Sequence, residues 1–199
     1  MTEIITVHGT PGSGKSSLSR RYKEHNTRVE HVSAGDRLRE ISSGTVSSGY
    51  ATEIQAHSDV LKESKPMPDA LVNLIIFEFI SQCPSTSLVL IDGYPRFQQQ
   101  HQNFFREIVS NEYNYKGSIH LSVSEEISQQ RILLRGLRKG EKPVTESFIH
   151  WRFEEYRSLI VPAIQLLAVN GPVITINAVN DLETNWQEFD RAVKSLISQ

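Results

Sequence analysis

The feature that most constrains this chain is the run Gly9-Thr10-Pro11-Gly12-Ser13-Gly14-Lys15-Ser16-Ser17, entered from the β-branched, apolar stretch Glu3–His8. Short apolar β-branched runs that meet glycines read as buried strands. Ser16 to Glu24 reads as a helix. Gly9-x4-Gly14-Lys15-Ser16 satisfies G-x-x-x-x-G-K-[S/T] in the strand–loop–helix setting that gives the pattern meaning. An ordinary Gly/Ser turn would explain the glycines, but not the lysine and hydroxyls placed at the start of a helix. Glycines let backbone amides close around phosphate oxygens, and the helix end adds positive potential. Pro11, Gly12, Ser13, Gly14, Lys15, Ser16 and Ser17 are therefore candidate nucleotide-phosphate ligands. Lys15 suits the β- and γ-phosphates, and a hydroxyl of Ser16 or Ser17 suits a magnesium ion.

Further strands are expected at Val29–Ser33, Ser87–Asp92, Gly117–Val123 and Val173–Ala178. Helices are expected at Gly35–Ile41, Pro68–Ile80, Gln98–Ser110, Ser124–Arg135, Thr145–Val169 and Glu183–Ile197. Pro162 should bend or break the long one, because proline lacks an amide donor. Alternating strands and helices predict a parallel sheet with helices on both faces, and ligands at the carboxyl ends of its strands. Gly9, Asp36, Asp92 and Arg96 all fall at or just after such an end. Asp92, closing a buried strand, is the expected carboxylate for magnesium, held largely through water. Read alone, it could instead cap the turn that follows.

A chain of 199 residues suits one compact domain. Its net charge of -2 provides no basic field for nucleic acid or membrane surfaces, so neither is expected as a partner. The single cysteine, Cys83, excludes an intrachain disulfide and a four-cysteine zinc site. No apolar run reaches the roughly 20 residues of a membrane span, and no secretory signal pattern precedes the first strand. A cytoplasmic protein is expected. A guanine-reading N-K-x-D stretch is missing, since "NAVND" and "NGPV" lack the lysine. A small-molecule kinase with a second, acceptor substrate remains.

Five segments carry a resemblance: "GTPGSGKSS", "SAGDRLRE" (Ser33–Glu40), "LIDGYPRFQQQ" (Leu90–Gln100), "RILLRG" (Arg131–Gly136) and "WRFEEYRSLIVPAI" (Trp151–Ile164). In this order and spacing the sequence resembles the adenylate kinase family of nucleoside monophosphate kinases, short-lid type, over essentially its whole length. The resemblance implies an α/β fold, the three-layer α/β/α of P-loop NTPases, with a central parallel five-stranded sheet. The core would be 1–33, 68–135 and 145–199, with an NMP-binding segment at 34–67 and a short lid at 136–144. It implies ATP and a nucleoside monophosphate as partners, Mg2+ bound with ATP, no zinc, and a monomer.

The resemblance also assigns roles. Arg39 and Arg96 would grip the acceptor phosphate, which suits the guanidinium fork. Gln100 would read the adenine of AMP, with Gly93 leaving room and Ala34, Leu61 and Met67 lining the base pocket. Arg131 would pack on the ATP adenine. Lys15, Arg96, Arg135 and Arg152 would serve the transferred phosphoryl group. Taken singly, each arginine could be a solvated charge, and Leu61 and Met67 could be core.

Two departures qualify this. Ala34 replaces a base-contacting threonine, as in members that use UMP or CMP, whereas Gln100 favours AMP. The R-x-D-D stretch of the lid falls on Glu141, Lys142, Pro143 and Val144. Arg138, Lys139 or Lys142 would have to replace its arginine. The expected reaction is ATP + AMP = 2 ADP, with a pyrimidine monophosphate kinase or a weakly active nucleotide-binding homologue as alternatives.

Overall fold

The computed structural model describes residues 1–63, 65–139 and 145–199, with the backbone alone described for 135–139. Five strands form one all-parallel sheet: β1 (Glu3–Gly9), β2 (Val29–Ser33), β3 (Leu88–Asp92), β4 (Asn114–Ser122) and β5 (Val173–Asn177), in the order β2-β3-β1-β4-β5. The helices are α1 (Lys15–His25), α2 (Ala34–Ser42), α3 (Ala51–Ala56), α4 (Ser58–Lys62), α5 (Asp69–Gln82), α6 (Gln98–Ser110), α7 (Glu125–Lys139), α8 (Glu146–Glu155), α9 (Val161–Leu167) and α10 (Leu182–Ile197).

Successive strand residues point to opposite faces, and the core divides accordingly. Ile4, Val89 and Ile91 pack with Leu38 and Ile41 of α2, Ile75 and Ile76 of α5, and Phe104 and Ile108 of α6. Ile5, Val7, Leu90, Ile119 and Leu121 pack against Leu18 and Tyr22 of α1 and Phe189 and Val193 of α10. Every residue of β3 is buried, as a strand covered on both faces must be.

The expected strand at 117–123 begins earlier, at Asn114. The partner register passes from Ile4↔Tyr115 to Ile5↔Gly117, so Lys116 is an extra, bulged residue. Its polar surroundings hide the strand from a hydrophobicity reading, and Lys116 Nζ lies 3.7 Å from Glu3 Oε1. The expected basic loop from Gly136 is helical as far as Lys139, because the leucine, arginine and lysine after Gly136 are good helix formers. Residues 140–144, the remainder of the expected lid, lie outside the described residues.

The expected long helix is interrupted by a π-helical turn, Tyr156–Ile160, just ahead of Pro162. Pro162 cannot donate to the preceding turn, and the Val161 N–H reaches back to Tyr156 O, widening the helix by one residue. Tyr156, the first residue of this turn, hydrogen-bonds through its hydroxyl to His120 Nε2 of β4 at 2.6 Å.

Candidate functional site

The phosphate loop links β1 to α1 and is braced by β4. The Thr10 N–H donates to Leu121 O at 3.2 Å, and Thr10 Oγ1 accepts from the Val123 N–H at 3.1 Å. A Cβ on Gly9 would lie 2.4 Å from Leu121 O, so only glycine fits that approach. Gly12 faces Ser128 in the first turns of α7. Gly14 caps α1 in the left-handed region, φ 92°, a conformation side chains disfavour. No side chain caps the helix and its first turn holds no acidic residue. The α1 amides are therefore left to an anion. Lys15 opens the helix.

In register, Val7 pairs with Asp92, which brings the end of β3 beside the loop. Ser16 Oγ donates to Asp92 Oδ2. Ser17 is exposed. Asp92 is 2% exposed, and its Oδ1 has no hydrogen-bond partner among the described residues. A buried carboxylate oxygen with an unused lone pair beside a hydroxyl fits a hard cation that keeps several waters. His31, on β2, approaches Asp92 Oδ2 to 4.0 Å. Burial holds this imidazole below its ordinary value despite the pull of Asp92.

After Asp92 the chain turns through Gly93, Tyr94 and Pro95 into Arg96. The Arg96 N–H donates to Gln100 Oε1 at 2.7 Å, and Gln100 Nε2 donates to Asp69 Oδ1 at 2.7 Å. Gln100 is 3% exposed, so its amide orientation is set by these two partners. Tyr94 is buried and donates to Asn73 Oδ1 at 2.6 Å, which pins the turn to α5. Ala34, Met67 and the half-buried Leu61 join the apolar cluster on this face.

Arg39, one turn along α2, donates to Asp36 Oδ1 at 2.5 Å and its side chain is 57% exposed. Arg96 is more enclosed. Its Nη2 donates to Glu155, which also lies 3.9 Å from Arg152 Nε. Burial and the neighbouring Arg152 charge push the Arg96 guanidinium down to about 10, with Glu155 opposing them. Arg96 and Arg152, 56 positions apart in sequence, thus meet at one carboxylate. Arg131 Nη1 donates to Ala178 O at 2.8 Å, and its Nη2 reaches Asn180 O at 3.3 Å, fixing this side chain on the loop after β5. The side chain of Arg135 lies outside the described residues.

Comparison with known proteins decides the lineage. The adenylate kinase family pattern matches residues 7–171. The chain belongs to the adenylate kinase family. It is 30% identical to adenylate kinase 1 of Nostoc sp., over 98% of this chain and 100% of that one. It is 29% identical to rabbit adenylate kinase isoenzyme 1, over 94% and 91%. It is 26% identical to a uridylate kinase of Schizosaccharomyces pombe, over 98% of each. As a member of this family the protein is a nucleoside monophosphate kinase, with ATP and a nucleoside monophosphate as substrates. Among the described residues, no helix is long and apolar enough to cross a membrane.

Asp69, Glu155 and His31 were not anticipated from sequence. Asp69 and Glu155 look like ordinary helix-terminus and solvent-face acids until the fold brings Gln100 and Arg96 to them. For Glu155 the one local signal is its i,i+3 spacing from Arg152 on a helix.

Proposed function

We propose that the enzyme transfers the γ-phosphoryl group of Mg-ATP to AMP, reversibly. The arrangement of Gln100 supports a base that presents one donor and one acceptor on a single edge. A primary amide has two donor hydrogens and two acceptor lone pairs. Gln100 spends one of each on Asp69 and Arg96, which leaves one donor and one acceptor in a fixed orientation. Adenine offers the complementary pair on its N1/N6 edge. The relatives named adenylate kinase support the same reading.

In this reading the loop amides, Lys15 and Arg131 hold ATP. Arg39 and Arg96 hold the acceptor phosphate. Arg135 and Arg152 join Arg96 in neutralising charge as the phosphoryl group passes, since such transfer depends on positioning and electrostatics. Ser16 and Asp92 would hold magnesium, largely through water, and the ion would supply charge neutralisation on the phosphates. Closure of the NMP-binding segment over the substrates would exclude water.

A pyrimidine acceptor is the second reading. Ala34 is buried and has no polar group to offer a base, uracil can present one donor and one acceptor as adenine does, and one relative is a uridylate kinase. A coupled assay over AMP, CMP, UMP, GMP and dAMP, with Arg96→Ala as the inactive control, separates them. AMP should give the highest kcat/KM. Faster turnover of UMP or CMP rejects the AMP assignment.

A further inference from the structure

Glu155 ends α8, and its side chain is 5% exposed. It accepts from Arg96, which arrives on the turn after β3, and it lies 3.9 Å from Arg152 Nε, one helical turn back. A carboxylate buried this deeply is costly unless it is paired, and two guanidinium groups facing one cleft repel each other unless an anion lies between them. Glu155 meets both conditions at once. It is also the wrong sign for a phosphate site. On the reading that Arg96 and Arg152 receive phosphate, the carboxylate occupies cations that the substrate has to reach.

We propose that Glu155 is a positioning residue that stands in for phosphate: it holds Arg96 beside Arg152 in the empty cleft, and gives Arg96 up when the acceptor phosphate arrives. The phosphate group prevails because it carries more charge and presents more oxygens than a carboxylate, so it can engage the guanidinium fork and a second arginine together. The residual negative charge on Glu155 then weakens the grip on monophosphate and on the diphosphate product alike, which favours release. An ion pair that only supported the fold would have no such effect on affinity.

Glu155→Gln removes the charge while keeping the size and an oxygen that accepts from Arg96. The dissociation constant of AMP, measured by calorimetry without ATP, should fall about tenfold, a modest share of what a unit charge at this range can exert. KM for AMP should fall in parallel, while kcat stays level or declines because ADP is held more tightly. Glu155→Asp keeps the charge and should bind AMP within about threefold of wild type. An AMP affinity that is unchanged or weaker in Glu155→Gln overturns the proposal, and so does an Asp variant that tightens as much as the Gln variant. Should Glu155→Gln fail to fold, Glu155→Ala gives the same neutralised readout. The calorimetric comparison is independent of turnover. A wild type that binds AMP but transfers nothing would defeat the catalytic reading and still decide the role of Glu155; if the substrate panel selects another monophosphate, that nucleotide is the probe.

Discussion

The backbone N–H of Arg96 donates to Oε1 of Gln100 at 2.7 Å. The residue assigned to the acceptor phosphate and the residue assigned to the acceptor base are therefore one rigid unit, tied on to α5 through Asp69. Gln100→Leu leaves the Arg96 amide and the Asp69 carboxylate without this partner in a partly buried setting. It should cost about 1–3 kcal/mol of stability. KM for AMP should rise at least about tenfold, the worth of a hydrogen bond or two, with KM for ATP within about twofold. A substrate panel that keeps its preference for AMP in this variant would sink the assignment of Gln100 to the base.

The two serines after Lys15 are separated by their surroundings. Ser16 donates to Asp92, whereas Ser17 is exposed. Ser16→Ala should lower kcat/KM for Mg-ATP about tenfold or more and raise the magnesium concentration needed for half-maximal rate. Ser17→Ala should remain within about threefold of wild type. Ser16→Thr, which restores a hydroxyl, should recover part of the loss. The reverse ranking of the two alanine variants in a magnesium titration would assign the metal to Ser17.

His8 sets a pH dependence of stability. Burial, with the charges of His120 and Lys15, pushes this imidazole down to about 3. In the unfolded chain it titrates near 6.5. Below that pH the unfolded state gains a proton that the folded state refuses, so stability falls with acid across the window from about 6.5 to about 3. At pH 5 this single group should account for about 2 kcal/mol of lost stability relative to pH 7.5. Urea unfolding at the two pH values should show a smaller loss in His8→Gln, and equal losses in both proteins would remove His8 as the cause.

Gly9→Ala tests how tightly the loop is braced. The added Cβ would sit 2.4 Å from Leu121 O and 2.7 Å from Ser13 Oγ, the first of which is backbone and yields only if β1 and β4 separate. A loss of about 1–3 kcal/mol follows from such overpacking. For a chain of this size that lowers the melting temperature by about 2–4 °C per kcal/mol. An unchanged melting temperature would show that the loop is looser than its hydrogen bonds imply.

Most of the fold was legible because its signals are local. Strand β3 is a short run of apolar residues with a turn after it, and α6 alternates apolar and polar residues at helical spacing. The helices α3 and α4 leave little trace in the sequence because they are short and carry only one buried residue, Ile54, between them. The start of β4 was hidden by its bulge, which breaks the alternation that marks a strand. Pro162 announced an interruption, but not that the helix would widen rather than stop.

By itself the sequence determined the chemistry available: a glycine loop that can wrap an anion, a lysine and hydroxyls at its end, and arginines suited to phosphate. Those properties belong to residue types and to spacings of a few positions, where backbone geometry is nearly fixed. The tertiary structure decided how the groups are used. It turned the Gln100 amide one way by placing Asp69 against it, chose Ser16 over Ser17 as the neighbour of Asp92, and set Glu155 between Arg96 and Arg152. Each of these depends on which distant segments the sheet order brings together, and a buried hydrogen bond or ion pair exists only once that packing has excluded water.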